Sequence, residues 1–454
     1  PDGCAAPYGP TFAAGAGPLR LVVVGDPAHL AEVFAQPVSS YRWGYPLNVL
    51  GFIVGPTSLI VSDGDAHRRR RAAVQPAFAR RRLDGWIPMI VAETDRMIEA
   101  RLHPSLADGG TPDLYPLGKD LILAITVKAF FGNGLEHRTA EIGAIFDELQ
   151  AYLELPGPKQ VPHRIPFTRR ARARAARHHF DRIVDQEVAR RRAAPAAHAA
   201  TAGTAAGRAE TGDLLDVFLH DAETDASTDA STDASTAPSP GPATEALTTE
   251  EIHTQVTTLT GPGYTPPAAP LAWTVQRALT PTGVGPRLRA EAEAAFDPGS
   301  PAGPDTLHDL PFTAAVVHEA LRVHPAGSFA PRQTVTDVAI GPHVVRTGTM
   351  VLWSPYLAGR DAEAWGDPLE FRPDRHLDPS PEASALMETV MVPFGRGPRR
   401  CIGFALAQME LTLILARLAQ RLDLEAVSST TPRPYGMVVN RPTGGVRIRL
   451  ATGP

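Results

Sequence analysis

The stretch VPFGRGPRRCIGFALAQMELTLILARL, residues 392–418, places a single cysteine in a short loop immediately before an amphipathic segment. The loop is rich in glycine, proline and arginine, and after Cys401 apolar residues recur every three or four positions. This periodicity predicts a helix over 404–421. The free N–H groups and positive dipole end of such a helix, together with the charges of Arg399 and Arg400, favour a thiolate at Cys401.

A lone thiolate in this setting indicates an iron cofactor rather than zinc. The chain has one other cysteine, Cys4, so a zinc site with about four ligands is disfavoured and single-point ligation of iron fits better. Gly395, Gly397 and Gly403 would let the backbone approach a flat cofactor closely. Two cysteines so far apart also make a poor disulfide framework, which favours reduced thiols in a cytoplasmic protein.

Composition argues against several classes of function. The 454 residues are 43 % hydrophobic and 20 % charged, with a formal net charge of −5, so nothing global indicates a nucleic-acid partner. The sequence contains no run of about 20 apolar residues, so no membrane span is expected. The first ten residues lack the charged start and apolar run of a signal peptide.

The pattern along the chain predicts mainly helices with a minor strand component. Residues 19–35 predict a strand, a turn and a short helix, and 58–78 predict a strand end, a turn and an arginine-rich helix. The other predicted features are helices over most of 83–192 with loops at 103–118 and 155–168, a helix at 305–323, short strands around 332–353, a proline-rich connection through 381 and a tail hairpin over 436–450.

A tetrapeptide repeat, DASTDASTDAST, occupies residues 225–236. Such a low-complexity tract predicts a disordered surface loop. The strongest motifs follow it and their plausible partners precede it. We therefore interpret residues 223–243 as an insertion within one large domain, 1–454.

Residues 260–270, TGPGYTPPAAP, interrupt what otherwise reads as one long helix. Upstream, Thr248 and Glu251 have the spacing of a capping box, and from Leu271 the helical pattern resumes. A proline inside a helix removes a donor and clashes with the preceding turn, at a cost of about 3 kcal/mol. The four prolines therefore predict a break or opening in the helix.

The cysteine loop carries a family resemblance. The pattern F-x-x-G-x-R-x-C-x-G resembles the haem-binding loop of the cytochrome P450 superfamily, and the resemblance extends over roughly residues 19–450. It implies the cytochrome P450 fold, mainly α with a minor β part in a single large domain, and haem b (iron protoporphyrin IX) ligated by Cys401. The residues that fill the pattern are Phe394, Gly397, Arg399, Cys401 and Gly403.

A second motif agrees with this resemblance. VVHEALRVHP carries Glu319 and Arg322 on one helix face, and it resembles the E-x-x-R helix of the family. FRPDRHL, residues 371–377, supplies Arg375 as the third member. In the family this Glu–Arg–Arg cluster is structural and locks the cysteine loop beneath the haem.

A third motif is GDAHRRRRAAVQPAF. The resemblance implies that His67 and Arg71 bind the haem propionates, together with Arg332 and Arg399. Two carboxylates in an apolar interior need charge-assisted hydrogen bonds, which these residues would supply. The remaining arginines, 68–70 and 80–82, either form a docking surface for an acidic electron donor or are simply solvated.

The proline segment departs from the family pattern. The resemblance places 247–279 at the long helix across the oxygen-binding face, where the family has A/G-G-x-D/E-T-T. Gly263 matches, but Thr265 replaces the acid and Pro266 replaces the alcohol that together help deliver protons for dioxygen cleavage. Thr265 could take over the alcohol's role, or a substrate group or water could supply the proton. Alternatively the enzyme uses peroxide or catalyses coupling or rearrangement, or the prolines are tolerated in a relay that works with water.

The resemblance also suggests which residues line the substrate pocket. Their aromatic and apolar character favours an apolar or aromatic guest of moderate size. These candidates are Trp43, Tyr45, Phe52, Tyr264, Phe329, Met437 and Val438.

The sequence therefore predicts a soluble, bacterial-type haem-thiolate monooxygenase. It would insert oxygen from molecular oxygen into a small apolar or aromatic substrate in secondary metabolism, with electrons from a separate ferredoxin and ferredoxin reductase. Two alternatives stay open. One is a peroxygenase or a coupling and rearrangement enzyme with an atypical distal site, and the other is a non-catalytic haem- or ligand-binding protein.

Overall fold

Helices dominate the chain, as the sequence predicts. A computed structural model describes residues 9–15, 20–45, 48–193, 212–219, 247–280, 283–297, 299–428, 430–436 and 438–451. The insertion at 223–243 and the pocket candidate Met437 lie outside the described residues.

The helices range from single turns to long segments. In chain order they are α1 (Pro27–Ala35), α2 (Val49–Val54), α3 (Gly64–Val74), α4 (Arg80–Met97), α5 (His103–Ala107), α6 (Leu114–Phe131), α7 (Thr139–Leu153), α8 (Arg169–Ala193), α9 (214–219), α10 (Thr249–Ala278), α11 (Val284–Ala295), α12 (Pro304–His308), α13 (Pro311–Val323), α14 (Pro355–Ala358), α15 (Ala362–Trp365), α16 (Pro381–Val390) and α17 (Phe404–Arg421). The helix predicted over 404–421 is confirmed as α17.

The strands are short. They are β1 (Thr11–Ala14), β2 (Leu21–Val24), β3 (Tyr41–Arg42), β4 (Ala330–Thr334), β5 (Val338–Ile340), β6 (His343–Val345), β7 (Met350–Trp353), β8 (Leu424–Ala426), β9 (Pro434–Tyr435), β10 (Arg441–Pro442) and β11 (Ile448–Leu450).

A five-stranded sheet with the order β1-β2-β7-β4-β3 is the largest sheet of the described residues. β2 and β7 are parallel, with Leu21 opposite Met350, and the other neighbours in this sheet are antiparallel. The predicted strand–turn–helix at 19–35 is confirmed: Asp26 accepts a hydrogen bond from the backbone N–H of His29 and so caps α1. Proline at the first position of α1 stabilises this start because its missing N–H needs no partner there.

The chain divides into two compact units, each assembled from separated segments. The first comprises Pro1–Arg42, Ile87–Ile122 and Tyr264–Pro454, and the second comprises Trp43–Trp86 and Leu123–Gly263. The first unit therefore contains the five-stranded sheet, the segment that carries the E-x-x-R pair and the cysteine loop. The second contains the arginine-rich helix α3 and the helices α7 and α8.

The proline segment does not break its helix, contrary to the expectation from the sequence. α10 is helical from Thr249 to Ala278, through all four prolines. The reason is tertiary packing: the helix buries apolar side chains both before and after the prolines, among them Val256 and Trp273. Burying one large apolar side chain contributes about 1.5–3 kcal/mol, which offsets a comparable cost for each proline. The predicted capping box of α10, Thr248 with Glu251, is confirmed at 3.1 and 3.2 Å.

Several other local predictions are wrong, wholly or in part. Residues 58–61 form turns rather than a strand end, because the Gln255 side chain hydrogen-bonds the backbone there, accepting from Leu59 N at 2.9 Å and donating to Thr57 O at 2.9 Å. The helix predicted over 305–323 is two helices, α12 and α13.

In the tail, β9 pairs with β10, whereas β11 pairs with β8 rather than closing the predicted hairpin. Parts of the predicted loop 103–118 and of the proline-rich connection through 381 are helical, namely α5, the start of α6, α14 and α15.

Candidate functional site

The loop before α17 presents the Cys401 thiol at an exposed position. Its backbone is closed by a hydrogen bond from Cys401 N to Phe394 O of 2.9 Å and by one from Arg400 N to Gly397 O of 3.0 Å. Gly395 and Gly397 have φ angles of 70° and 68°, a left-handed conformation that favours glycine. The sequence thus specifies a tight, closed loop with an accessible sulfur at its end.

Two further residues of this segment lie close to the thiol in the chain, Arg400 before it and Gly403 after it. Arg400 stacks its guanidinium over the Phe404 ring at 3.6 Å. Gly403 precedes the first residue of α17 with φ of −88°, which any residue adopts. The backbone angle therefore does not require glycine at position 403. The close approach of a flat group to Gly403 stays a prediction.

The structure brings Glu319, Arg322 and Arg375 together in the first unit. Arg322 donates to both carboxylate oxygens of Glu319, at 2.7 and 2.8 Å, and Arg375 Nε donates to Glu319 Oε1 at 3.3 Å. Glu319 and Arg322 are fully buried. Arg322 also donates to the backbone oxygens of Gly359 and Pro368, at 2.5 and 2.8 Å. This guanidinium therefore ties α13 to the segment that follows α14.

Sequence reasoning missed a fourth member of this cluster, His376. Its Nε2 lies 3.0 Å from Glu319 Oε2. Burial alone would raise the pKa of Glu319, but the hydrogen bonds from Arg322 and His376 outweigh burial and lower it to about 2. The carboxylate therefore stays ionised at any ordinary pH. The sequence feature that could have revealed His376 as a member of the cluster is its position directly after Arg375.

Arg332 lies on β4, and its side chain is 6 % exposed. Its guanidinium lies about 5 Å from the ring centres of Phe34 (5.0 Å) and Tyr41 (4.9 Å). Burial, assisted by the positive charge of Arg399 and opposed by Tyr41, lowers the pKa of Arg332 to about 10. Two cationic residues singled out by the sequence thus lie close enough to repel one another.

His67 and Arg71 lie one turn apart on α3 in the second unit, with His67 buried. Two of their neighbours on α3 are paired with an acidic residue rather than simply solvated. Arg69 and Arg70 both hydrogen-bond Glu251, with Arg70 Nε 2.9 Å from Glu251 Oε1. These two arginines therefore join α3 to the start of α10.

The other arginines of the two runs differ in exposure. Arg82 is buried and donates to the backbone oxygen of Gly212. Arg68 and Arg80 are largely exposed and pair with Asp65 and Asp84 of their own helices.

The distal candidates Gly263, Thr265 and Pro266 lie within α10. Thr265 is buried and Pro266 is half-buried. Pro266 and Pro267 have no N–H, so the helix provides no donor to the carbonyls of Pro262 and Gly263. The Thr126 hydroxyl lies 3.4 Å from Gly263 O and partly replaces the missing donor.

The pocket candidates divide between the units. Tyr264 is buried with the Lys119 ammonium 5.5 Å from its ring centre, and Phe329 packs against the cluster of Val23, Tyr356 and Leu357. Both therefore contribute to the core of the first unit. Val438 in the same unit is exposed.

In the second unit, the Phe52 ring lies 5.3 Å from that of Tyr152 and beneath the Arg170 guanidinium at 3.8 Å. Asp63 accepts a hydrogen bond from the backbone N–H of Trp43. Burial raises the pKa of Tyr45 to about 12, so its phenol stays protonated.

Comparisons with known proteins show the family to which the chain belongs. The family model for cytochrome P450 matches residues 2–446. The chain belongs to the cytochrome P450 family. P450 enzymes are oxidoreductases that carry iron protoporphyrin IX, so the predictions of an oxidoreductase, of haem b and of a mainly α P450 fold in a single domain are confirmed.

Bacterial P450 proteins are among the relatives of known sequence. A Mycobacterium tuberculosis protein named as cytochrome P450 139 is 27 % identical over 424 residues, covering 92 % of this chain and 89 % of the relative. Cyclooctat-9-en-7-ol 5-monooxygenase of Streptomyces melanosporofaciens is 27 % identical over 423 residues, covering 91 % of this chain and 82 % of the relative.

A solved structure described as retinoic acid bound cyanobacterial CYP120A1 aligns with a TM-score of 0.81 and 19 % identity, covering 99 % of this chain and 93 % of that chain. This likeness shows the fold. Separately, none of the described helices combines the length and hydrophobicity that crossing a membrane requires.

The residues of the first unit fit a haem group on chemical grounds. Cys401 offers an accessible sulfur on a closed loop. Arg332 is a buried cation whose charge is disfavoured by burial and by Arg399, and a carboxylate placed beside it would relieve both effects. A thiolate ligand and cations that pair with two propionates are the donor set that iron protoporphyrin IX needs.

Sequence reasoning also missed Glu410 on α17. Its side chain is 3 % exposed, and its Oε1 has no hydrogen-bond partner among the residues that the structure describes. Burial raises the pKa of Glu410 to about 8, so this acid is largely protonated at neutral pH. The sequence feature that could have revealed this buried acid is its place on the apolar face of α17, one helical turn before Ile414.

Proposed function

We propose that this P450 is a haem-thiolate monooxygenase that inserts one oxygen atom into a small apolar or aromatic molecule. The observation that carries the proposal is the accessible Cys401 sulfur on a closed loop, in the same unit as the buried Glu319–Arg322–Arg375 cluster. Bound haem supplies the oxygen-insertion chemistry, while the protein holds the group and orients the substrate.

The site residues have distinct proposed roles. Cys401 would supply the sulfur ligand of the haem iron, and the loop from Phe394 to Gly403 would hold that sulfur in place. Arg332, Arg399, His67 and Arg71 are the residues that would pair with the propionates. On the distal side Thr265, with water, takes the place of the usual acid and alcohol.

An apolar substrate of moderate size is supported by the relatives. One relative is named as a monooxygenase of cyclooctat-9-en-7-ol, a terpenoid, and the aligned cyanobacterial structure holds retinoic acid. The pocket candidates of this chain are aromatic or apolar. We place the enzyme in the cytoplasm, in secondary metabolism, with electrons delivered by a separate ferredoxin and ferredoxin reductase.

Binding spectra of the purified holoenzyme against terpenoid, aromatic and peptide-like metabolites test this proposal. A true substrate shifts the haem Soret band and yields a product one oxygen atom heavier when ferredoxin, its reductase and NADPH are added. Omitting ferredoxin should abolish the product. A ligand that shifts the spectrum but yields no product with any electron source would instead indicate a non-catalytic binding protein.

A second candidate function rests on the Thr265–Pro266 departure. Pro266 supplies neither a hydroxyl nor an N–H where the family has an alcohol, and Thr265 carries no charge. A peroxygenase, or an enzyme that catalyses oxidative coupling or rearrangement, avoids the need for an ordinary proton relay. Turnover with hydrogen peroxide alone, at a rate equal to that of the ferredoxin system, would favour the peroxygenase. A product with no added oxygen atom would favour coupling or rearrangement.

A further inference from the structure

Four buried polar side chains form one stripe along the first half of α10, in the second unit. Glu251, Thr254, Gln255 and Thr258 recur at steps of three or four residues, apart from the adjacent Thr254–Gln255 pair, so they share one face of the helix. Each is 4 % exposed or less. Apolar side chains usually fill a buried helix face, whereas a polar stripe must find hydrogen-bond partners.

The partners lie on the segment that leads into α3. Gln255 donates to Thr57 O at 2.9 Å, and the Thr254 hydroxyl lies 3.1 Å from that of Thr57. One turn further along α10, the Thr258 hydroxyl lies 2.8 Å from Ser58 Oγ. Hydrogen bonds are directional, so a buried and satisfied polar contact of this kind specifies one register between its two elements. The approach to α3 therefore cannot slide along α10.

Glu251, at the start of the stripe, holds α3 itself. Arg69 and Arg70 both donate to Glu251 Oε1, the latter from Nε at 2.9 Å, and Arg70 Nη1 also donates to Ser62 Oγ at 2.5 Å. The second carboxylate oxygen accepts from Thr248 N at 3.1 Å. Hydrogen bonds between guanidinium and carboxylate are about twice as strong as neutral ones. Glu251 therefore clamps α3 at two consecutive residues.

A clamp on two consecutive residues sets the rotation of α3 about its own axis. Since a helix turns by about 100° per residue, the midpoint of Arg69 and Arg70 lies about 130° around α3 from the midpoint of His67 and Arg71. Fixing the first pair therefore fixes the direction in which the second pair leaves the helix. His67 and Arg71 are the residues of α3 that would pair with the haem propionates.

We propose that Glu251 is a positioning residue for haem binding, which acts through Arg69 and Arg70 to set the placement of His67 and Arg71. The polar stripe keeps α3 from sliding along α10, and Glu251 keeps it from rotating. Groups that bind a cofactor need placement within about 0.5 Å, and hydrogen bonds from supporting residues supply it. This inference rests on the proposed haem-thiolate function and adds to it a residue outside the cysteine loop and the distal segment.

A second buried glutamate in the same unit provides a matched control. Glu187 on α8 is 3 % exposed and also holds two consecutive arginines, accepting from Arg190 Nη2 at 2.6 Å and from Arg191 Nε at 2.7 Å. These arginines belong to the same helix as Glu187. Glu187→Gln therefore breaks a comparable buried ion pair without altering the contact between α3 and α10.

Glu251→Gln in the full-length holoenzyme tests the proposal. Glutamine keeps an acceptor for Thr248 N, so α10 keeps its capping box, but the charge that holds the two arginines is lost. We expect haem transfer to apomyoglobin to become about tenfold faster, the effect of weakening one charge-assisted hydrogen bond. We also expect the haem reduction potential to fall, because poorly compensated propionates favour the oxidised iron.

Three companion variants separate positioning from stability. Glu251→Asp, which keeps the charge, should restore part of both changes, and Arg69→Gln, which removes one clamp bond, should move both readouts in the direction of Glu251→Gln even where the latter folds poorly. In a chain that already carries His67→Gln and Arg71→Gln, Glu251→Gln should add nothing further, because its effect passes through those two residues.

Glu187→Gln should change neither the transfer rate nor the potential, whatever melting temperature it has. Equal changes in Glu251→Gln and Glu187→Gln, an unchanged rate and potential in Glu251→Gln, or additive effects in the His67→Gln and Arg71→Gln background would overturn the inference while the proposed function stands. A parent protein that takes up no haem would overturn both.

Discussion

Replacing Glu410 by glutamine should change how the stability of the protein depends on pH. Glu410 is 3 % exposed on α17, with Oε1 lacking a hydrogen-bond partner among the described residues, and burial raises its pKa to about 8 from an ordinary 4.5. At pH values between these two pKa values, Glu410 keeps its proton in the folded chain but has lost it in the unfolded chain. The free energy of unfolding therefore falls as the pH rises through this window, and below it the side chain imposes no such cost.

The size of the effect follows from the shift. Each unit of pKa difference corresponds to about 1.36 kcal/mol, so at pH 7 the buried acid lowers the stability by roughly 3 kcal/mol relative to its value near pH 4.5. Glutamine has nearly the same shape and does not ionise. Near pH 4.5, Glu410→Gln should therefore have nearly the same free energy of unfolding as the parent chain. As the pH rises to about 8, the variant should become progressively more stable than the parent chain.

Urea denaturation followed by far-ultraviolet circular dichroism at several pH values between 5 and 8 (a range set by the two pKa values) measures this difference. Glu388→Gln on α16 is the control, since Glu388 is exposed and its replacement should leave the pH dependence unchanged. If the difference in stability between parent and Glu410→Gln stays constant across this range, Glu410 is not a buried neutral acid and the reasoning fails.

Three further predictions concern the proposed site. Arg322→Lys should lower the stability by about 3–5 kcal/mol, measured by denaturation, because lysine cannot keep both bonds to Glu319 and the backbone bonds; a loss below 1 kcal/mol would contradict this role. Arg332→Gln should speed haem transfer to apomyoglobin, whereas Arg346→Gln, at an exposed position, should not. Pro266→Thr should raise product formed per NADPH consumed in the ferredoxin system, and an unchanged ratio would show that no hydroxyl is missing there.

The sequence predicts those helices and residue pairs that are determined by residues close to one another in the chain. α17 follows from its own apolar periodicity, and α1 follows from a strand, a capping aspartate and a proline. Glu319 and Arg322 can be paired from sequence because they share one turn of helix. In these cases the partners that decide the structure lie within a few residues of one another.

The remaining features depend on partners far away in the chain, which no local pattern records. Residues 58–61 form turns because Gln255 satisfies their backbone groups. α10 stays continuous because packing on both sides of its prolines outweighs their cost. Glu251 engages Arg69 and Arg70 across 182 and 181 residues of the chain, so these two members of the arginine run could not be distinguished from their neighbours by sequence alone.

The carbon monoxide spectrum of the reduced holoenzyme tests the central claim, that the Cys401 sulfur is the haem ligand. The parent protein should show the red-shifted Soret band of a thiolate-ligated haem, and Cys4→Ala should keep it. Cys401→Ala should lose this band even where haem is still taken up. A red-shifted band that persists in Cys401→Ala would contradict the account.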